Sequence, residues 1–433
     1  MAVKNVVKDS VFEAIERMEN DIAQFCSELV RIQSVNPGFP GIVAEEVLGG
    51  EKRCNQFLAD KLKKLDLEID LFDVIPERTN LVGTLKGSGS GRSLILNGHI
   101  DTVPFYEPKK WKWGDPISGK IVDGKVYGRG AIDMKGGIVA MISAVQAILE
   151  AGFRPKGDLL IESVIGEETM EHEAGTTAAL LRGYKADAAI IPEPVSDVSP
   201  LHGGWLWLQV SIEGKPTHHL FRYELIRAGG RGSAVGVSAI DKGIKILNAM
   251  QELEREWGIT KKHALLPLGH STIGPDVIRG GPKDILIPSM IPEFCTIDFS
   301  VWYPPQFTVE EIKKEIEDYI QSISATDSWL KEHMPRLEWK LHWPPYSIPE
   351  DHPIVKTVAE SYEKAHGEPA RISGLIGACD AAFLTRNGIP TVVHGPGDIA
   401  TAHAYDEYIS IDELIAATKT IALSVLDWCG YTS

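Results

Sequence analysis

Strand-like and helical patterns alternate along residues 1–200, and again from residue 353 to the end of the chain. The strand-like runs are short and separated by Gly, Pro and Ser; they are Leu67–Val74, Asn80–Leu85, Ser93–His99, Asp158–Ile165, Ala186–Ile191 and Thr391–His394. The segments with helical spacing of apolar residues are Val11–Gln33, Glu51–Leu65, Gly136–Glu150, Ala174–Arg182, Val355–His366 and Ile411–Cys429. This alternation predicts an α/β protein whose sheet is covered by helices.

The middle of the chain has a different pattern. Trp205–Glu213 alternates like a half-exposed strand, and the long helical segment Val237–Glu256 follows it. Two further strand-like runs, Cys295–Val301 and Leu337–Trp343, flank the charged helical segment Val309–Ser322. We therefore expect an α+β domain inserted near residues 201–342, within an outer domain formed by residues 1–200 and 343–433.

Composition excludes several classes of protein. A length of 433 residues favours two domains. Lys and Arg number 44 against 60 Asp and Glu, a formal charge of -16, which argues against nucleic-acid or anionic-membrane partners. The five cysteines are widely spaced and form no Cys-x-x-Cys pair, so we expect neither a disulfide scaffold nor a thiolate zinc site. This cysteine pattern favours a cytoplasmic location for the protein. The sequence contains no run of about eighteen apolar residues, so we expect no transmembrane helix.

Histidines and carboxylates gather where the predicted strands end. They occur in Gly98-His99-Ile100-Asp101, Gly166-Glu167-Glu168, Pro192-Glu193-Pro194, the glycine-rich turn around Asp133, and the late segment containing His403. Ligands of open α/β sheets bind at the carboxyl ends of strands. Nitrogen and oxygen donors without thiolates suit zinc, manganese or cobalt. Two ions about 3.5–4 Å apart would need a bridging carboxylate, for which Asp133 is the candidate.

Each of these residues also has an ordinary structural interpretation. His99 would serve as a hydrogen-bonded histidine at a strand end, and Glu167 with Glu168 as a solvated loop pair near a helix start. Glu193 between two prolines would form a rigid turn, and His403 would cap the region before the last helix. Five such residues in one ordered set favour a site with two metal ions.

The same motifs resemble a known family, the metal-dependent aminoacylases and carboxypeptidases that include acetylornithine deacetylase, succinyl-diaminopimelate desuccinylase and bacterial glutamate carboxypeptidases. The resemblance is carried, in the family's order, by residues 98–104 (GHIDTVP), 128–137 (GRGAIDMKGG), 166–168 (GEE), 192–194 (PEP) and His403, and it covers essentially the whole chain. It implies a three-layer αβα catalytic domain of zinc-exopeptidase type, with an inserted ferredoxin-like domain for dimerisation and as a lid.

The resemblance also implies a role for each residue. Asp133 would bridge two zinc ions, with cobalt or manganese as alternatives. His99 and Glu193 would complete one site, and Glu168 and His403 the other. Glu167 would be the general base, and Asp101 would orient His99 through the second ring nitrogen.

Three further residues follow from the same resemblance. His218, in Gly214-Lys215-Pro216-Thr217-His218, would stabilise the oxyanion in the partner subunit's site, although His219 is adjacent and both remain open. A homodimer is therefore implied. Gly377 and Asp380 match the family's Gly-x-x-Asp pocket loop and are expected to contact the substrate.

Substrate recognition departs from the family pattern. Members that cleave N-acyl amino acids carry Asp-x-Arg to grip the α-carboxylate, whereas this chain has Asp298-Phe299-Ser300. Ser300 lacks the charge and fork of an arginine. The family's Asn three residues before a proline is replaced by Ile285. These changes favour a small-molecule amide without an α-carboxylate, such as a formylaminopyrimidine.

Two alternatives remain open. An arginine of the loop at residues 220–236 would restore carboxylate binding; the candidates are Arg222, Arg227 and Arg231. The chain would then deacylate N-acyl amino acids or cleave dipeptides. A metal-free binding protein on the same fold is disfavoured, because Glu167 and every expected ligand are present.

Overall fold

The computed structural model describes residues 2–221, 236–283 and 288–433. Ile285 and the three loop arginines named above lie outside the described residues. The chain forms two compact units. The first consists of Met1–Leu201, Tyr346–Leu375 and Cys379–Ser433, and the second of His202–Pro345 and Ile376–Ala378.

The α-helices of the described residues are, in chain order, α1 (Ala2–Arg17), α2 (Glu19–Val30), α3 (Ala44–Val47), α4 (Gly50–Lys63), α5 (Gly136–Glu150), α6 (Thr176–Leu181), α7 (Ala239–Thr260), α8 (Val309–Ala325), α9 (Pro353–His366), α10 (Ala381–Arg386) and α11 (Ile411–Cys429). The first predicted helix is in fact two helices. They meet at Met18, and Glu19 and Asp21 favour a new helix start there because acidic side chains stabilise helix N-termini.

The strands are β1 (Glu68–Ile75), β2 (Arg78–Leu85), β3 (Leu94–His99), β4 (Lys120–Val122), β5 (Lys125–Tyr127), β6 (Arg154–Pro155), β7 (Leu159–Val164), β8 (Ala189–Ile191), β9 (Leu201–His202), β10 (Gly204–Glu213), β11 (Thr272–Gly281), β12 (Phe294–Tyr303), β13 (Arg336–Trp343), β14 (Tyr346–Ser347), β15 (Thr391–Val393), β16 (Tyr408–Ser410) and β17 (Tyr431–Thr432). The main strands begin and end within a few residues of the predicted runs.

A six-stranded mixed sheet is the centre of the first unit. Its strand order is β1-β2-β7-β3-β8-β15, and the last four strands are parallel to one another. Side chains alternate between two apolar clusters: Leu94 and Leu96 pack in the cluster that includes α5 and α11, and Ile95 packs in the cluster that includes α10. Helices therefore cover both faces of the sheet, which confirms the predicted three-layer αβα fold.

Helix α5 is the central helix of this unit. The run Ala131–Glu150 is long and apolar enough to cross a membrane by length and composition. However, 89% of its most apolar window is buried inside the protein, so the apolarity serves packing in the core.

The second unit is a four-stranded antiparallel sheet with the order β11-β12-β10-β13. With α7 after β10 and α8 after β12, this is the βαββαβ arrangement of ferredoxin-like folds. Alternate residues of β10, such as Leu206 and Leu208, pack against both helices. The sequence pattern predicted three strands and missed β11, because Gly274, Pro275 and the glycines at its end interrupt the strand pattern.

Candidate metal centre

The strand ends of the first unit bring the predicted ligands together. His99 is the last residue of β3, Glu168 follows β7 and Glu193 follows β8. Because these strands are parallel neighbours, their carboxyl ends share one edge of the sheet. Asp133 precedes α5, and His403 follows the short turn Ile399–Thr401.

Asp133 lies between the two histidines. Its Oδ1 is 3.2 Å from Nε2 of His99, and its Oδ2 is 3.2 Å from Nε2 of His403. Nε2 of His99 is 3.7 Å from Oε1 of Glu193, and Nε2 of His403 is 3.2 Å from Oε2 of Glu168. The ligand atoms thus form two groups that share Asp133, and within each group they lie within 4.8 Å of one another.

This donor set fits divalent metal ions. Asp133, Glu168 and Glu193 have nearly buried carboxylates, and Oε1 of Glu168 has no hydrogen-bond partner among the described residues. Buried carboxylates need a compensating positive charge or hydrogen bonds. Imidazole and carboxylate donors without sulfur suit zinc, cobalt or manganese.

The pKa shifts of the clustered side chains also indicate an excess of negative charge. Burial raises the pKa of Glu193 to about 8 and the pKa of Glu167 well above its ordinary value, and neighbouring carboxylates add to both shifts. Hydrogen bonds to Asp133 and Glu168 raise the pKa of His403 to about 11. Although burial opposes its ionisation, hydrogen bonds from His403 and His99 hold the pKa of Asp133 below its usual range. A bound cation would stabilise the ionised carboxylates.

Glycines allow this close approach of backbone segments. A Cβ atom on Gly137, in the first turn of α5, would lie 2.0 Å from the backbone oxygen of Pro192. The helix start therefore packs directly against the segment that carries Glu193. Gly130, just before Asp133, has a φ of 82°, in the left-handed region that favours glycine.

Glu167 lies beside the cluster but belongs to neither ligand group. Its Oε2 is 3.8 Å from Nε2 of His99, and its side chain is 14% exposed. A carboxylate in this position is close to the ligand group of His99 and remains available to exchange a proton.

Asp101 contacts the second ring nitrogen of His99 through its backbone oxygen. Nδ1 of His99 lies 3.0 Å from the backbone oxygen of Asp101, while the nearer carboxylate oxygen is 3.7 Å away. The carboxylate instead accepts hydrogen bonds from the backbone N–H groups of Gly166 and Glu168, at 2.9 and 3.2 Å. The contact to His99 is therefore made by the backbone of Asp101, and its carboxylate anchors the loop that carries Glu167.

Known proteins resemble this chain over most of its length. The family model of peptidase family M20/M25/M40 matches residues 95–427. The chain belongs to this family. It is 35% identical, over 97% of each chain, to N-formyl-4-amino-5-aminomethyl-2-methylpyrimidine deformylase of Bacillus subtilis. It is 26% identical, over 91% of this chain and 94% of the other, to a probable succinyl-diaminopimelate desuccinylase of Staphylococcus epidermidis.

Solved structures of other proteins share the fold. Human carnosine dipeptidase 1 matches with a TM-score of 0.72 over 98% of this chain and 99% of its own, at 17% identity. The predicted family and fold are confirmed, and the chain is an enzyme of a hydrolase family, as expected. Metallopeptidases of the M20 family use divalent metal ions, which agrees with the donor set around Asp133.

Sequence reasoning missed one ion pair that supports this M20 site. Arg129 donates from Nη1 to Oε2 of Glu407 at 2.5 Å, and both side chains are buried. Oε1 of Glu407 accepts hydrogen bonds from the backbone N–H groups of Ile132 and Asp133. Nη2 of Arg129 lies 3.4 Å from the backbone oxygen of His403, whose φ of 58° lies in the left-handed region. The pair therefore holds the backbone at both Asp133 and His403.

Replacing Glu407 with Ala is expected to destabilise the protein by about 3–5 kcal/mol, because Arg129 would remain buried without its partner. Unfolding in urea, followed by fluorescence, measures this loss. Glu150→Ala is the control: Glu150 is exposed and accepts one hydrogen bond from Gln146, so its loss should change stability by no more than about 0.5 kcal/mol. Equal stability of the two variants would contradict this role for Glu407.

The residues predicted to contact the substrate or its oxyanion are divided between the two units. Asp380 is buried at the start of α10, where Oδ2 accepts a hydrogen bond from Thr176. Gly377 belongs to the second unit and is half-buried. Ser300, also in the second unit, donates to the carboxylate of Asp276. His218 is exposed in the second unit, where Nδ1 accepts a hydrogen bond from Leu220 N.

Proposed function

We propose that this chain is a two-metal hydrolase that removes a formyl group from an amine of an aminopyrimidine without an α-carboxylate. The reaction is supported by one observation above all: the two carboxylate oxygens of Asp133 face two different histidines, each in its own ligand group. The substrate is supported by the 35% identity to a deformylase of an aminomethylpyrimidine.

In this proposal His99, Asp133 and Glu193 hold one ion, and Asp133, Glu168 and His403 hold the other. Zinc suits these donors best, and cobalt and manganese are alternatives. Divalent cations bound there supply Lewis acidity and a readily deprotonated water. His99 is oriented for this role by the backbone oxygen of Asp101.

Glu167 carries the proton in this mechanism. It accepts a proton from the attacking water as the water oxygen bonds to the formyl carbon. The bond between the formyl carbon and nitrogen then breaks, and Glu167 returns the proton to the leaving amine. The immediate products are formic acid and the free amine, so atoms and charge balance without a further reactant; formic acid then ionises to formate and releases its proton to solvent.

The second unit adds support for a substrate without a carboxylate. Ser300 lies between Trp207 on β10 and Gly274 on β11, and its hydroxyl donates to Asp276. An acidic residue thus lies beside the position at which related deacylases are expected to carry an arginine. Negative charge there would repel a substrate carboxylate and would favour an amino-substituted ring.

A second candidate function is deacylation of N-acyl amino acids. The 26% identity to a probable succinyl-diaminopimelate desuccinylase favours it. This alternative needs a cation to bind the α-carboxylate, which Ser300 does not provide.

Amine release from a matched pair of substrates separates the two functions. The zinc-loaded enzyme is expected to release amine from a formylated aminomethylpyrimidine and to leave N-acetylornithine intact. A sample treated with a chelator is the control and should be inactive on both. Turnover of N-acetylornithine alone would contradict the proposed substrate and would favour the second candidate.

We also propose that the enzyme is a homodimer and that His218 or His219 donates to the oxyanion in the partner subunit's site. Strand β11 supports the dimer, because among the described residues it lies at an edge of its sheet and it exposes Val277 and Ile278. Sedimentation should give twice the 47.5 kDa mass of one chain. A mass of one chain at micromolar concentration would contradict the dimer.

A cytoplasmic location completes the proposal. All five cysteines are buried and form no disulfide, and burial raises the pKa of the Cys379 thiol well above its usual range. Free thiols are typical of proteins in reducing compartments. Recovery of the native protein in a secreted fraction would contradict this location.

A further inference from the structure

Thr169 connects the loop that carries Glu167 to a buried ion pair. Its hydroxyl donates to Oε2 of Glu171 at 2.8 Å. The same carboxylate oxygen accepts a hydrogen bond from Nη1 of Arg78 at 2.6 Å. Arg78 in turn donates two hydrogen bonds to Glu51, each of 2.7 Å, and both side chains are almost fully buried. A bidentate pair of this kind is a rigid anchor.

On its other side, the Thr169 hydroxyl accepts a hydrogen bond from Nδ2 of Asn36 at 2.8 Å. The same amide nitrogen donates to Oδ2 of Asp101 at 2.7 Å. Asp101 accepts hydrogen bonds from the backbone N–H groups of Gly166 and Glu168. The side chain of Asn36 is therefore fixed between Thr169 and the carboxylate that anchors the loop.

The loop itself is a tight turn. Its backbone closes through hydrogen bonds from Met170 N to Glu167 O and from Glu171 N to Gly166 O, at 2.8 and 2.7 Å. Gly166 has a φ of 87°, and a Cβ atom there would lie 2.8 Å from the backbone oxygen of Glu171. Asp101 holds the beginning of this turn and Arg78 holds its end. The Thr169 hydroxyl forms hydrogen bonds with both Asn36 and Glu171, and so connects the two sides of this network.

We propose that Thr169 is a positioning residue that fixes the carboxylate of Glu167, an inference that rests on the proposed function. The hydroxyl does not belong to either ligand group. It acts through two hydrogen bonds that restrain the turn from both sides. Proton transfer demands close positioning of the base, and a displacement of about 1 Å can reduce a rate about 100-fold.

Two substitutions at Thr169 separate the hydroxyl from the shape of the side chain. Thr169→Val keeps the branched shape and removes both hydrogen bonds, whereas Thr169→Ser keeps the hydroxyl. Thr418→Val is the structural control, because Thr418 donates one buried hydrogen bond to the backbone oxygen of Leu414 within α11. This control measures the general effect of losing a buried hydroxyl.

Two measurements test the proposal. Hydrogen exchange is expected to be faster for the backbone amides of Gly166, Glu168 and Glu171 in Thr169→Val, and unchanged in Thr169→Ser and Thr418→Val. In the zinc-loaded enzyme, Thr169→Val is expected to lower kcat by about 10- to 100-fold, with KM and bound metal within about twofold of the wild type. Thr169→Ser should restore kcat to within about threefold of the wild-type value.

Several results would overturn the inference. One is unchanged exchange at residues 166–171 in Thr169→Val. Another is an equal loss of kcat in Thr169→Ser and Thr169→Val, and a third is a loss of kcat that follows a loss of bound metal. An inactive wild type would instead refute the proposed function, and the exchange measurement, which needs no substrate, would still decide the role of Thr169.

Discussion

Glu167→Gln is expected to reduce kcat by about 10³-fold while the bound metal stays at the wild-type level. Glutamine keeps the size and hydrogen-bonding capacity of the side chain but cannot accept and return a proton. Positioned acid and base groups contribute about 10²- to 10⁴-fold to rates. The metal is expected to remain because Glu167 lies outside both ligand groups, although its Oε2 is only 3.8 Å from Nε2 of His99.

Steady-state kinetics and the metal content of the same sample measure both quantities. Glu173→Gln is the matched control, because Glu173 has a side chain that is 73% exposed and contacts only the nearby His172 among the described ion pairs. It should retain wild-type kcat. If Glu167→Gln lost metal and activity in proportion, Glu167 would be a ligand and the assigned role would be wrong.

Asp133→Asn is expected to weaken the binding of both metal ions, each by more than about 100-fold. Asparagine offers one carbonyl oxygen and no negative charge, whereas Asp133 presents one carboxylate oxygen to each histidine. Losing a residue that merely orients a ligand already costs about 10- to 100-fold in affinity. A shared ligand should therefore affect both ions more strongly.

Zinc titration followed by calorimetry measures this loss. Glu193→Gln is the comparison, since Glu193 belongs to one ligand group only and its replacement should weaken one ion and largely preserve the other. Identical titrations of the two variants would contradict the shared position of Asp133.

The helices of the first unit could be predicted from the sequence because the spacing of their apolar residues is a local signal. Helix α11 has the predicted bounds, Ile411–Cys429, and α5 likewise begins at Gly136 and ends at Glu150. Both have regular apolar spacing over at least four turns. Strand β11 was missed because its glycines and proline hide the pattern, and the pairing with β12 that stabilises it is a tertiary contact.

The candidate ligands could be predicted because each follows a recognisable strand end or glycine-rich turn. The supporting contacts could not be predicted in the same way. Arg129 and Glu407 are 278 residues apart, and Asn36 and Thr169 are 133 residues apart, so no local pattern connects them. The atom by which Asp101 contacts His99 also depends on the folded loop, because the carboxylate is already occupied by Gly166 and Glu168.

The number of divalent ions bound to each chain tests the central claim most directly. The purified protein is stripped with a chelator, reconstituted with zinc and freed of excess metal, and its metal is then measured against protein concentration. Two ions per chain are expected, because Asp133 is shared by two complete ligand groups. Fewer than about one ion per chain in folded protein would contradict the two-metal site and the mechanism built on it.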